Sequence, residues 1–266
     1  MAKHAASKEK EGVQYHINMK KGDVGRYVIL PGDPGRVPKI AAFFDSAKEI
    51  TFNREYRTYT GLIDGIKVSC TSTGIGCPST AIAVEELIKL GADTFIRVGT
   101  AGALQREVKL GDVCITTAAV REEGTTRQYV PLSYPAVADL DVTLALREGA
   151  KKLGLRHHCG IGHCKDAFFI EGEEDLPIAE ENIMKWNAWY RSNVLSTSME
   201  SAALFVVSSI RKVRAGEVLA IIGLTYDDAP IVAKVGVEEA IKTAVEAIKI
   251  LHAQDTAAAK PKRGKK

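Results

Sequence analysis

The run Tyr27-Val28-Ile29-Leu30-Pro31-Gly32-Asp33-Pro34-Gly35-Arg36 decides how the rest of the chain is read. Four apolar residues end in a Pro-Gly turn, and an arginine stands where the next helix begins. Glycine lets backbone N–H groups approach an anion, a helix start adds partial positive charge, and a guanidinium supplies forked charged donors. The stretch predicts a buried strand that delivers an oxyanion site at Gly32 and Arg36. Working outward, the same alternation recurs. Residues 66–72, 94–98, 112–117 and 218–223 read as further strands, and 34–44, 78–90, 139–153, 200–213 and 236–252 as helices. Nearly continuous apolar strands between helices imply a sheet covered on both faces.

The bulk numbers set the frame. A chain of 266 residues with 45% hydrophobic and 26% charged residues has ordinary globular composition and enough length for a large core. Its net charge of +3 is partly an end effect, because Lys260, Lys262, Arg263, Lys265 and Lys266 crowd the last seven residues. The body is near neutral, which argues against nucleic acid as a partner. Five cysteines without a CxxC pair fit a reduced, cytoplasmic setting, and no apolar run approaches the roughly 20 residues that span a bilayer. The expected organisation is a tail at 1–11, one α/β domain at 12–254 and a basic, disordered tail at 255–266.

Two further strand-to-turn junctions carry chemistry. Thr71-Ser72-Thr73-Gly74-Ile75-Gly76-Cys77-Pro78-Ser79-Thr80 is a small-residue turn entering a helix, with Pro78 or Ser79 near its start. Phe95-Ile96-Arg97-Val98-Gly99-Thr100-Ala101-Gly102 places an arginine inside an apolar strand. A charge there is costly unless it meets a buried carboxylate or an anionic ligand. With Arg36 and two glycine-rich turns following the same logic, Arg97 reads as an anion ligand. GxxxxGK[ST] and GxGxxG are both absent from the chain, so the anion is read as small and free, such as phosphate.

Together with Asn53-Arg54-Glu55-Tyr56, Ala119-Val120-Arg121, Tyr134-Pro135-Ala136-Val137-Ala138-Asp139 and Ser198-Met199-Glu200-Ser201-Ala202, these segments resemble the hexameric nucleoside phosphorylases, most closely their uridine phosphorylase branch. The resemblance runs from about Gln14 to Leu251 in unbroken motif order. It implies a three-layer α/β/α fold with a mixed, partly barrel-like central sheet, assembled as dimers into a hexamer. The implied reaction is phosphorolysis of uridine or a related pyrimidine nucleoside to free base and ribose 1-phosphate. No organic cofactor is implied, since phosphate is the co-substrate. The resemblance puts phosphate on Gly32, Arg36, Arg97 and Thr100, with Arg54 supplied by the neighbouring subunit. It puts ribose on Met199 and Glu200, with His16 from the neighbour, and the base against Thr100, Ala101, Gly102 and Phe168. Glu55, Ile75 and Ser79 match positions where uridine phosphorylases can hold a structural potassium ion between subunits.

The base pocket departs from that pattern. The family reads uracil with a glutamine and an arginine shortly after an aromatic pair, whereas Phe168-Phe169 is followed by Ile170-Glu171-Gly172-Glu173-Glu174-Asp175. A further arginine expected after strand 218–223 is missing from Gly223-Leu224-Thr225-Tyr226-Asp227-Asp228. Asp227 opens a second reading, because purine-specific relatives place an aspartate there to donate to N7 of the leaving base. A third reading is a catalytically weak paralogue that binds ligand or assembles with an active relative. His157-His158-Cys159-Gly160-Ile161-Gly162-His163-Cys164 gathers five ligand-type residues, but without the paired spacing that zinc requires. It reads as a strand edge entering the Phe168 loop.

Overall fold

The structure is a computed structural model that describes residues 12–170, 175–226, 231 and 234–259. Ten strands, β1 (Tyr27–Leu30), β2 (Ser46–Asn53), β3 (Tyr56–Ile63), β4 (Ile66–Thr71), β5 (Thr94–Ala103), β6 (Val113–Glu122), β7 (Ala136–Val137), β8 (His157–Lys165), β9 (Ser196–Ser198) and β10 (Arg214–Leu224), join into one mixed sheet. Among the described residues six α-helices accompany them: α1 (Val37–Ala41), α2 (Cys77–Lys89), α3 (Leu140–Lys152), α4 (Ala179–Arg191), α5 (Ser201–Ile210) and α6 (Val237–Ala259). Each strand and helix expected from periodicity has a counterpart. Those missed are the hairpin β2–β3, the short β7 and β9, and α4, which buries none of its side chains.

The side-chain alternation of β1 shows how the layers arise. Tyr27 and Ile29 join a core with α1, α3 and α6, while Val28 and Leu30 join a core with α2 and α5. The sheet is therefore covered on both faces, as the unbroken apolar run of β1 requires. Part of the sheet closes on itself. β5 pairs with β10, β10 with β6, β6 with β8, β8 with β9 and β9 again with β5, a five-stranded ring with its own small core at Ala101, Ala103, Val108, Cys114, Leu219 and Ile221.

The position of the site follows from the pairing of β5. β10 runs parallel to β5 along its whole length, from Thr94 to Ala103. The opposite edge is shared: β1 pairs with Thr94 to Arg97, and β9 with Gly102 and Ala103. Between them the edge of β5 is open. Strands that part in this way leave a crevice beyond their carboxyl ends.

One expected boundary is corrected. Residues 255–259 were assigned to a disordered tail but continue α6, because Asp255 is anchored. Its carboxylate accepts from Arg214 Nη2 (2.7 Å), Arg214 Nη1 (2.9 Å) and the Tyr27 hydroxyl (2.7 Å). The basic residues from Lys260 onward lie outside the described residues, as do residues 1–11. Among the described residues no helix is long and apolar enough to cross a membrane.

Hydrogen bonds from Arg214 first, then from Tyr27, hold the Asp255 carboxyl below its usual range. A lowered carboxyl value means that its stabilisation is present above the unfolded value of about 3.9 and fades as pH falls through the folded one. Asp255→Ala should cost about 1 kcal/mol at neutral pH, the pair being partly solvated. Denaturant titrations of both proteins should converge below pH 4; a difference independent of pH would contradict the ionic account.

Candidate active site

Arg97 lies on β5 with only 4% of its surface exposed, and its guanidinium is divided among three directions. Nε donates to Glu217 Oε1 at 3.0 Å, and Nη2 donates to Glu200 Oε2. Nη1 is buried with no hydrogen-bond partner. It faces Gly32, where an added Cβ would stand 3.7 Å from Nη1 and 3.2 Å from the Gly74 carbonyl oxygen. Of the two kinds of partner considered for Arg97 from the sequence, carboxylates occupy two faces of the guanidinium, and the third face is open.

The elements around Arg97 explain how it is held. Glu217 is its register neighbour on β10 and is fully buried. Burial pushes the Glu217 carboxyl up, against the opposing effect of Arg97, and Ser201 Oγ donates to its Oε2 at 2.8 Å. Glu200 precedes α5 and accepts from the Gly76 N–H at 2.9 Å and the Met199 N–H at 3.2 Å. Gly76 has φ +94°, a left-handed conformation that glycine adopts without penalty, and so turns its N–H toward the carboxylate. Gly99, two residues along the same face of β5, leaves room for the guanidinium: a Cβ there would be 3.0 Å from Arg97 Nη2 and 2.6 Å from Leu219.

Arg36 completes a cationic corner. It closes a single 3-10 turn (Pro34–Arg36) capped by Asp33, whose carboxylate accepts the Gly35 N–H at 2.7 Å, and its Nη1 donates to the Val98 carbonyl at 3.3 Å. Burial first, and then the nearby charge of Arg97, pull the Arg36 guanidinium below its ordinary value. Two arginines at close quarters, one with an unfilled donor, favour an anion between them.

A cavity of about 600 Å³ connects this corner to the mouth of the barrel. Gly32, Arg36, Arg97 and Thr100 line it, as do Met199, Glu200, Ala101, Gly102 and Phe168, so nine residues expected to touch phosphate, ribose or base are brought together. Arg54 and His16 do not line it. Arg54 is exposed at the tip of the β2–β3 hairpin, with φ +54° and its guanidinium 5.8 Å from the Tyr15 ring centroid. His16 Nδ1 lies 2.6 Å from Glu86 Oε1, and its carbonyl accepts from Asn53 at 2.6 Å. The two therefore share one surface outside their own chain's cavity. Asp227 and residues 171–174 lie outside the described residues.

Glu55, Ile75 and Ser79 are gathered around Gly74. A Cβ on Gly74 would stand 2.8 Å from Glu55 Cγ and 3.3 Å from Ser79 Oγ, which itself donates to the Ile75 carbonyl at 3.2 Å. By contrast, the histidines and cysteines of β8 take separate partners. His158 meets Asp112 at 2.9 Å, His163 meets Glu122 at 2.7 Å, and Cys164 faces Cys77 at 3.5 Å. β8 is not a sheet edge as expected: it lies between β6 and β9.

Two functional candidates were missed. Glu217 abuts an apolar run and is the counter-charge that a buried Arg97 demands, a pairing visible only once β5 and β10 are in register. Lys165, at the end of β8, lines the cavity at 2% exposure.

Residues 26–254 match the family model described as Phosphorylase superfamily. The chain is 49% identical to a uridine phosphorylase of Treponema pallidum, over 91% of this chain and 96% of that one. It is 50% identical to a uridine phosphorylase of Thermococcus kodakarensis, covering 91% and 87%. A guanosine phosphorylase of Halorubrum lacusprofundi is 37% identical, covering 90% and 99%.

Glu217→Ala should destabilise the fold by about 3–5 kcal/mol, because it leaves Arg97 buried with one counter-charge fewer. Glu217→Gln, which keeps acceptor oxygen in place, should fall between that variant and the wild type. Equilibrium denaturation measures both; a Glu217→Ala protein as stable as wild type would remove Glu217 from this role.

Proposed function

We propose that this chain, which belongs to the phosphorylase superfamily, cleaves uridine with inorganic phosphate to give uracil and ribose 1-phosphate. The observation that carries this reading is the unfilled Nη1 of Arg97, turned toward Gly32 at the open edge of β5. A buried guanidinium with one donor free suits a small dianion. Similarity points to the same nucleoside, since the two uridine phosphorylases are more similar to this chain than the guanosine phosphorylase is.

The roles follow from the chemistry each position offers. Phosphate sits on the Gly32 N–H, Arg36, Arg97 and Thr100, and Arg54 reaches it from a neighbouring subunit. Glu200 and Met199 hold the ribose. A carboxylate accepts at about four lone-pair sites, and Glu200 already takes three donors, from Arg97, Gly76 and Met199. One site remains for a ribose hydroxyl, and the three fixed bonds set its direction. His16 of the neighbour meets the other end of the sugar, and Phe168 stacks on the base beside Ala101 and Gly102. As the C1′–N1 bond breaks, positive charge grows on the sugar ring beside the bound phosphate. Arginines held in place beforehand need no reorganisation at that moment.

No organic cofactor enters, because phosphate is the second substrate. Glu55, Ser79 and the Ile75 carbonyl form a hard oxygen donor set that suits potassium as a structural ion. The assembly is a hexamer built from dimers, and the setting is cytoplasmic. The half-buried His16 and the exposed Arg54 lie apart from their own cavity, which supports sharing between subunits.

Incubation with uridine, thymidine, inosine and adenosine, with and without phosphate, should release uracil fastest and only when phosphate is present. Faster inosine cleavage would move the assignment to the Asp227 reading, and phosphate binding without turnover to a non-catalytic paralogue. Arg97→Ala or Arg54→Ala should raise the phosphate KM and lower kcat, while Glu200→Ala should lower kcat/KM for uridine. Refolding a mixture of the Arg54→Ala and Arg97→Ala proteins should restore activity that neither has alone, because some hybrid sites contain both arginines. Failure of the mixture to regain activity, despite hybrid assembly, would contradict a shared site.

A further inference from the structure

We propose that Lys165 is the residue that stabilises the departing base, supplying the charged hydrogen bond that the missing glutamine and arginine would otherwise give to a uracil carbonyl oxygen. The inference rests on the uridine reading above and assigns a catalytic role to a residue outside the family's uracil-reading pair.

Four observations place a cation there. Lys165 ends β8 and lines the same cavity as Phe168 and Arg97, with only 2% of its surface exposed. Its Nζ lies 5.9 Å from the Phe168 ring centroid and 5.2 Å from that of Trp186. An ammonium seated among aromatic walls is attracted to their faces while its N–H donors stay directional. The wall is also set by pairing, because Lys165 is the register neighbour of Glu122 on β6. Glu122 is held at about 2, chiefly by its hydrogen bond from His163, with a further one from Trp189. It is therefore a standing negative charge that favours the ammonium, whereas burial draws Lys165 down to about 8. The residue remains mainly a cation at neutral pH, and it is only weakly screened by water.

The chemistry of the step calls for such a group. When C1′–N1 breaks, its electron pair goes to the base, and the C1′–O bond to phosphate forms with a phosphate lone pair. Uracil leaves as an anion with its charge spread over N1 and the two carbonyl oxygens. A cationic donor at one oxygen lowers the energy of that anion more than that of neutral uridine, which is the condition for catalysis. The ammonium keeps its proton throughout, and the departed uracil anion takes one from water. The phosphate corner is built on the turn after β1 and the middle of β5, whereas Lys165 and Phe168 stand on and just after β8. Attack and departure are thus served by cations on different strands.

The test compares leaving groups. Single-turnover phosphorolysis of uridine and 5-fluorouridine would be measured for wild type, Lys165→Met and Lys165→Arg. The fluorinated base carries negative charge more easily and needs less help to leave. Lys165→Met should slow uridine cleavage on the order of 10²-fold, the usual loss for one oxyanion donor. It should slow 5-fluorouridine cleavage far less and leave the phosphate KM unchanged. Lys165→Arg, which keeps the charge, should recover part of the uridine rate and would do so only if the folded site is intact. Equal losses on both substrates, a loss confined to the phosphate KM, or no loss at all would overturn the assignment. A wild-type protein that does not cleave uridine would overturn the functional reading beneath it, an outcome distinct from these.

Discussion

A buried guanidinium cannot stand without counter-charge, and the site is organised around satisfying Arg97 on two faces while leaving the third open. The cost of removing such a charge from water is several kcal/mol unless it is paired and hydrogen-bonded. Glu217 answers from β10 and Glu200 from the start of α5, so strand register and helix placement are tied to one side chain. Gly99 is required by the same arrangement, since any side chain there would strike the guanidinium. The remaining Nη1 points to the turn after β1, where Gly32 lets the backbone come near.

Topology makes that open face reachable. β5 keeps β10 on one edge throughout but exchanges β1 for β9 on the other, and the interval between them is the crevice. Closure of β5, β6, β8, β9 and β10 into a ring then brings the end of β8 round to the same cavity. Arg36, Arg97, Lys165 and Phe168 thereby line one space, carried on strands and on the short turns that follow them rather than on long loops. Strand-borne groups hold their geometry, which is what electrostatic catalysis in the phosphorylase superfamily asks of its scaffold.

Much of this was legible in the chain because it is written in local patterns. The apolar run before Pro31-Gly32, the helix periodicities and Arg97 inside a strand each follow from rules acting over a few residues. They singled out Gly32, Arg36 and Arg97, and resemblance added Met199 and Glu200; all five line the cavity. What stayed hidden depends on long-range register. Glu217 looks like an ordinary strand-start carboxylate until β10 is laid beside β5. Lys165 followed a histidine- and cysteine-rich segment that reads as a strand edge, and its neighbours Glu122 and Trp186 come from β6 and α4. The hairpin β2–β3 has mixed polarity because its strands lie at the outer end of the sheet, so neither helical nor strand periodicity stood out. Asp255 was read with the basic tail by composition, while its hydrogen bonds to Arg214 and Tyr27 bind it to the body. Resemblance supplied the expectation that His16 and Arg54 serve a neighbouring subunit; a single chain displays them only as two residues outside its own cavity.

The most direct measurement is a crystal structure of the protein grown with inorganic phosphate. The predicted result is an anion whose oxygens lie within hydrogen-bond distance of Arg97 Nη1 and the Gly32 N–H, with Glu200 and Glu217 unmoved. An Nη1 turned to a protein carbonyl, with phosphate bound elsewhere in the cavity, would contradict Arg97 as the centre of the site.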